Sequence, residues 1–264
     1  MPHLVIQRLR SGVSLCPFQW SQPKRRGATC ALVVESLDLL GGLVFVAGSI
    51  CFLPAFSHDL KVFLAGCALF VLGGLIYVGV CTFTLVEAVR ERGCNTFEAW
   101  ENILYLVGSL IFVAGTVLYW PPEAHHEGME WLINNMSLGA YFNLFTPEFE
   151  GTLMFIIGSL LFVFAAFVNG LDQRNFGSAE GKMLSGTTSL YMGGSLLFVM
   201  GSVAFLPDLG CSQQMLTVGA WCFVVGSVLY VLGSVLSIVR TARDLKNPTR
   251  SPLCSSPGFI KAAT

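Results

Sequence analysis

The chain has 264 residues and a net charge of −1, with 12% of its residues charged and 54% hydrophobic. Its mean hydropathy is +0.68; soluble domains are roughly a quarter charged, so this is a membrane composition. The near-zero net charge excludes a nucleic-acid surface, which needs a concentrated basic patch.

Taken from the N-terminus, the first 34 residues hold no acid and five basic residues, Arg8, Arg10, Lys24, Arg25 and Arg26. Organellar transit segments share that composition, but an ordinary cytoplasmic tail, 1–36, is the reading adopted. Six apolar stretches follow, at 37–55, 60–85, 103–120, 153–171, 189–206 and 216–239. Each is close to the span of about 20 residues that crosses a bilayer core, and each is apolar all round rather than amphipathic. The expected fold is therefore all-α, a polytopic membrane protein of six transmembrane helices arranged as three repeated helical hairpins.

The loops set the orientation. Fourteen of the fifteen Lys and Arg residues lie in the two tails and the second and fourth loops, whereas the first, third and fifth loops hold only Lys61. Such a bias places both termini on the cytoplasmic side. The third loop is long and acidic, and its 130–145 stretch, with Trp131, Tyr141, Phe142 and Phe145, suits a short interfacial helix. Within it Asn135-Met136-Ser137 forms a sequon, making Asn135 a candidate glycosylation site. Glu123, His125, His126 and Glu127 have zinc- or copper-binding chemistry. Without helical or hairpin spacing they are read as solvated loop residues.

One motif recurs in all six stretches. A glycine (Gly41, Gly66, Gly108, Gly158, Gly194, Gly219) is followed by a small residue. Four positions on comes Phe (Phe45, Phe70, Phe112, Phe162, Phe198, Phe223), and next to it Val. Seven positions on comes Gly or Ala (Gly48, Gly73, Gly115, Ala165, Gly201, Gly226). The first two glycines and the last two are each 25 apart, but the middle pair is 50 apart, which implies three hairpins at 37–90, 101–171 and 186–240. The middle one would carry an insertion of about 25 residues. Pro54, Pro121 and Pro207 lie thirteen after the glycine of each odd helix, where proline ends it. Because lipid gives helices no hydrophobic drive to associate, close contact at small residues must supply the attraction. Positions seven apart share a face and drift by only about 20°. The glycines are thus expected to be holes and the phenylalanines knobs.

This unit, best seen in GSLIFVAGT at 108–116 and GGSLLFVMGS at 193–202, resembles the YrhK-like domain. Counted over all three hairpins, the resemblance covers about 37–240. It implies a multi-pass membrane location and brings no catalytic or binding residues with it. Mitochondrial carriers share the six-helix arithmetic but follow each odd-helix proline with an acidic and then a basic residue, a pattern missing after Pro54, Pro121 and Pro207.

Chemistry-bearing residues are few. No ionisable group is expected in the central span of a helix; Asp38 and Glu87 fall at cytoplasmic ends, and Asn169 is the one expected amide. Cys51, Cys67, Cys81 and Cys222 act as small apolar residues, while Cys94 lies near enough to the bilayer for palmitoylation. No nucleotide, haem or hydrolytic motif is present, so neither a cofactor nor enzymatic activity is expected. The expected partners are the lipid bilayer and, through the glycine faces, other membrane proteins or a second copy. The second function weighed is a passive channel or carrier lined by Ser109, Thr116, Ser159, Ser195 and Ser202. The C-terminal 241–264 reads as a disordered tail.

Overall fold

A computed structural model describes residues 24–121, 135–137, 146–173, 179–206 and 212–246. The helices are α1 (Lys24–Cys51), the single turn α2 (Pro54–Ser57), α3 (Leu60–Arg92), α4 (Phe97–Leu118), α5 (Pro147–Gln173), α6 (Ala179–Ala204) and α7 (Gln213–Lys246). No strand occurs among the described residues. All but α2 contain a stretch long and apolar enough to cross a membrane, from 22 to 31 residues, so the chain has the architecture of a membrane protein.

Local chemistry explains the turns. Pro54 opens α2, where its missing N–H costs nothing. Asp59 caps α3 by accepting from the Lys61 N–H at 2.9 Å. Gly93, at φ 85°, ends α3 in a conformation that side chains rarely adopt. Three residues later Thr96 caps α4 through the Ala99 N–H.

Each long helix packs against the next in sequence, and α7 packs against α1. The six long helices thus close into a ring. The paired positions show neighbours running antiparallel: Gly48 meets Phe70 while Gly73 meets Phe45, and Glu35 meets Ser237 while Ser49 meets Ser227. The outward face is apolar, with Leu75, Leu110, Phe164, Met200 and Trp221 each at least half exposed. Such a surface fits lipid rather than water.

Three expectations are corrected. Residues 24–36 belong to α1 rather than to a tail, and α4 begins at Phe97, well before the expected 103. Both extensions carry acids that hydropathy places outside the span; here they are buried, Glu35 at 1% and Glu101 at 0% exposure. The last helix also runs on: α7 continues to Lys246, past the expected hairpin end at 240 and into the expected tail 241–264, and Arg240 is buried within it. The 123–127 cluster lies outside the described residues, as does the expected interfacial helix apart from 135–137.

Candidate functional site

Within each sequential pair the helices meet at glycine. A Cβ added to Gly48 would fall 2.6 Å from the Phe70 ring, and one on Gly73 3.2 Å from Phe45. The α6/α7 pair does the same: Gly201 would meet Phe223 at 2.7 Å and Gly226 would meet Phe198 at 3.0 Å. Gly41 and Gly194 take the rings of Tyr77 and Tyr230, whereas Gly66 and Gly219 lie against Phe52 and Phe205. The shortest of these distances, 2.6 and 2.7 Å, leave no room for a methyl group, and those of 3.0 to 3.3 Å would make the ring give way, so backbones approach as small residues allow in lipid.

The α4/α5 pair uses another register. A Cβ added to Gly115 would fall 2.9 Å from the Gly151 carbonyl, while Gly158 lies against the Phe112 main chain and Gly108 against the Phe162 ring. By contact, then, α5 counts from Gly151, seven residues before Gly158. In that frame Phe155, rather than Phe162, stands with Phe70 and Phe223. Ala165 is fully buried but outside the glycine pairing.

Phenylalanine fills the axis of the ring. Phe45, Phe112 and Phe198, one each from α1, α4 and α6, form a near-equilateral triangle with centroids 5.5, 5.9 and 6.1 Å apart. All three contacts are edge-on, the arrangement that ring quadrupoles favour. To one side of the triangle a cavity of about 20 Å³ is lined only by Phe52, Phe70, Tyr119, Phe155, Phe205 and Phe223. To the other side a second cavity of the same volume is bounded by Tyr77, Tyr105, Tyr230 and Cys81. Each has room for about one water molecule.

The hydroxyls weighed as pore-lining groups are occupied elsewhere. Ser109, Thr116, Ser195 and Ser202 each donate to the carbonyl four residues back, at 2.8 to 2.9 Å. Ser159 is buried, with no partner among the described residues. Of these five, only Ser109 is among the residues that line these two cavities.

One end of the ring is polar, and its contacts tie each pair to the next. Between α3 and α4, Thr84 donates to the Asn102 amide oxygen at 2.5 Å. Between α5 and α6, Thr188 donates to the Asn169 amide oxygen at 3.2 Å. Between α7 and α1, Ser237 and Thr241 donate to Glu35 at 2.7 and 2.8 Å. Asn169 also donates to Glu101 at 2.6 Å. Buried carboxylates and amides survive in a low-dielectric interior only with such partners. Hydropathy alone misses this layer, because it scores Glu35, Glu101 and Asn102 singly and does not see the hydroxyl or amide that each will meet.

At the opposite end Asn135 is exposed, while Ser137 is buried and donates to Glu150 at 2.6 Å. Among the described residues no group of three or more His, Cys, Asp or Glu side chains is placed to hold a metal.

No curated protein and no solved structure matches the chain. A family model, that of the YrhK-like protein, matches residues 185–242. That stretch takes in most of α6 and α7 together with the GGSLLFVMGS string, the pair in which Gly201 and Gly226 receive Phe223 and Phe198. The chain therefore carries a YrhK-like domain at residues 185–242.

Proposed function

We propose that the protein is a multi-pass integral membrane protein, non-enzymatic, with both termini cytoplasmic, built as three like hairpins around a pseudo-threefold axis. Two sets of contacts support the repeat. Phe45, Phe112 and Phe198 each lie four after a motif glycine and meet at the axis. With α5 counted from Gly151, Thr84, Asn169 and Ser237 each lie eighteen after the glycine of an even helix. Their partners Asn102, Thr188 and Glu35 each lie six before the glycine of an odd helix. Glycine and phenylalanine would bind the two helices of a hairpin, and the polar seams would bind hairpin to hairpin. On this count the inserted outer loop is about seven residues shorter than the motif spacing alone implies.

The role that fits this geometry is that of a closed structural bundle in the bilayer. Its motif glycines are taken up inside the ring, so a protein partner would meet the outer Leu, Val and aromatic side chains instead. The observation carrying the reading is the phenylalanine triangle, which leaves no hydrated path along the axis. A passive channel would need that path, and four of the five motif hydroxyls that would line it are bonded to their own helices. Liposome flux tests the choice: the purified chain should add nothing to the permeability of vesicles toward urea or glycerol. Protein-dependent flux of either solute would restore the channel.

A further inference from the structure

The α4/α5 pair keeps two hydroxyls whose partners it lacks. In the α6/α7 pair, the Tyr191 hydroxyl pairs with Ser234 at 3.0 Å and the Tyr230 hydroxyl with Ser195 at 2.6 Å. Tyr191 and Ser195 lie three before and one after Gly194, and on α4 Tyr105 and Ser109 lie three before and one after Gly108. Counted from Gly151, however, α5 has Phe162 where α7 has Tyr230, and Ala166 where α7 has Ser234. The ring packing is kept. Phe162 lies against Gly108 as Tyr230 lies against Gly194, and Tyr105 packs with Ala165 as Tyr191 does with Gly233. Only the oxygens are missing.

Tyr105 is 3% exposed, and its hydroxyl has no hydrogen-bond partner among the described residues. Ser109 gives its own proton to the Tyr105 carbonyl at 2.8 Å, which leaves its lone pairs free to accept. Both residues line the cavity between the phenylalanine triangle and the polar end, together with Phe162 and the thiol-bearing Cys81. The other two tyrosine hydroxyls of that wall are engaged, Tyr77 with the Asp38 carbonyl and Tyr230 with Ser195. Inside a bilayer an orphan hydroxyl has no solvent to turn to, so a partner must come from within the cavity.

Size and chemistry name the guest. The cavity, about 20 Å³, exceeds the roughly 10–15 Å³ that one water needs, and a buried water is held by roughly two to four polar groups. Tyr105, Ser109 and Cys81 supply three. We propose that this cavity is the site of a single ordered water molecule, which accepts the Tyr105 O–H, donates to Ser109 Oγ and meets the weakly polar Cys81 thiol. It does for Ser109 what the Tyr230 hydroxyl does for Ser195. The cavity on the far side of the triangle has the same volume but presents no polar atom, so it stays dry. One enclosed water is not a path, because the phenylalanine triangle closes the axis beside it. The site thus goes beyond the bundle reading, which the flux measurement tests separately.

The test is X-ray hydroxyl-radical footprinting of the full chain in nanodiscs, read residue by residue by mass spectrometry. Radicals form where water is ionised and oxidise the side chains in contact with it. After correction for intrinsic ring reactivity, Tyr105 should be oxidised several-fold faster than Tyr191, which is just as buried but has its partner in Ser234. Phe70, in the dry cavity, should stay at the Tyr191 level. Phe162→Tyr supplies the missing oxygen to Ser109, displaces the water and should bring Tyr105 oxidation down to that level too. The comparison within the native chain needs no variant. Tyr105 oxidised no faster than Tyr191, Phe70 oxidised as fast as Tyr105, or Tyr105 oxidation unchanged in a folded Phe162→Tyr would each overturn the proposal.

Discussion

Glu35 and Ser237 stand 202 positions apart in the chain, yet the Ser237 hydroxyl donates to the Glu35 carboxylate at 2.7 Å. With Thr241 at 2.8 Å, this contact ties the last long helix to the first and makes the six into a ring. Hydrogen bonds between membrane helices average about 0.6 kcal/mol and reach about 1.7. A Ser237→Ala, Thr241→Val double variant should therefore lose about 1 to 2 kcal/mol in reversible unfolding. Unchanged stability would mean that the seam between α7 and α1 does not hold.

The glycines should divide by what surrounds them. Gly201 lies 2.7 Å from Phe223 by its virtual Cβ and Gly115 lies 2.9 Å from the Gly151 carbonyl. Leucine at either should abolish folding in a detergent melt. Gly79 meets nothing within 4 Å, so Gly79→Ala should raise stability by up to about 1 kcal/mol through helix propensity alone. Equal tolerance at all three positions would refute the glycine packing.

Much of this was open to a reading of the sequence, and the rest fails for identifiable reasons. All six long helices and their glycine-to-phenylalanine spacing follow from composition and period. The register of α5 does not: Gly158-Ser159 followed by Phe162-Val163 imitates the motif better than Gly151-Thr152 followed by Phe155-Ile156. The contacts of Gly151 with Gly115 and of Gly158 with Phe112 decide between them. The polar seams are hidden for another reason, since a hydropathy window ends a span at Glu35 or Asn102, whereas a hydroxyl on the neighbouring helix keeps each of them inside.

Phenylalanines should differ by side. Phe112 is 2% exposed and touches Phe45, Phe70, Phe155 and Phe198. Phe112→Ala should cost about 3 to 5 kcal/mol, the usual toll of an emptied aromatic site. Phe164 is 58% exposed on the outer face, and its alanine variant should shift stability by no more than about 0.5 kcal/mol. Parallel unfolding curves for the two variants would contradict the filled axis.

The sequon has an internal competitor. Glycan transfer to Asn135 needs the Ser137 hydroxyl, which is buried and committed to Glu150 at 2.6 Å. Glu150→Ala should free it and raise glycan occupancy in a eukaryotic host, seen as a larger glycosidase-sensitive fraction on a gel. A shift in either protein would also put this loop on the lumenal side, opposite the termini; occupancy indifferent to Glu150 would dismiss the competition.

Closure of the ring is tested most directly by a covalent link between its ends. The Ser49 and Ser227 hydroxyl oxygens, on α1 and α7, lie 3.1 Å apart, so cysteines at the two positions would bring their Sγ atoms face to face. On mild oxidation in membranes, Ser49→Cys with Ser227→Cys should yield one intramolecular cross-linked peptide, absent from both single variants. Failure of that peptide to form, or its formation only between separate chains, would contradict the closed six-helix ring.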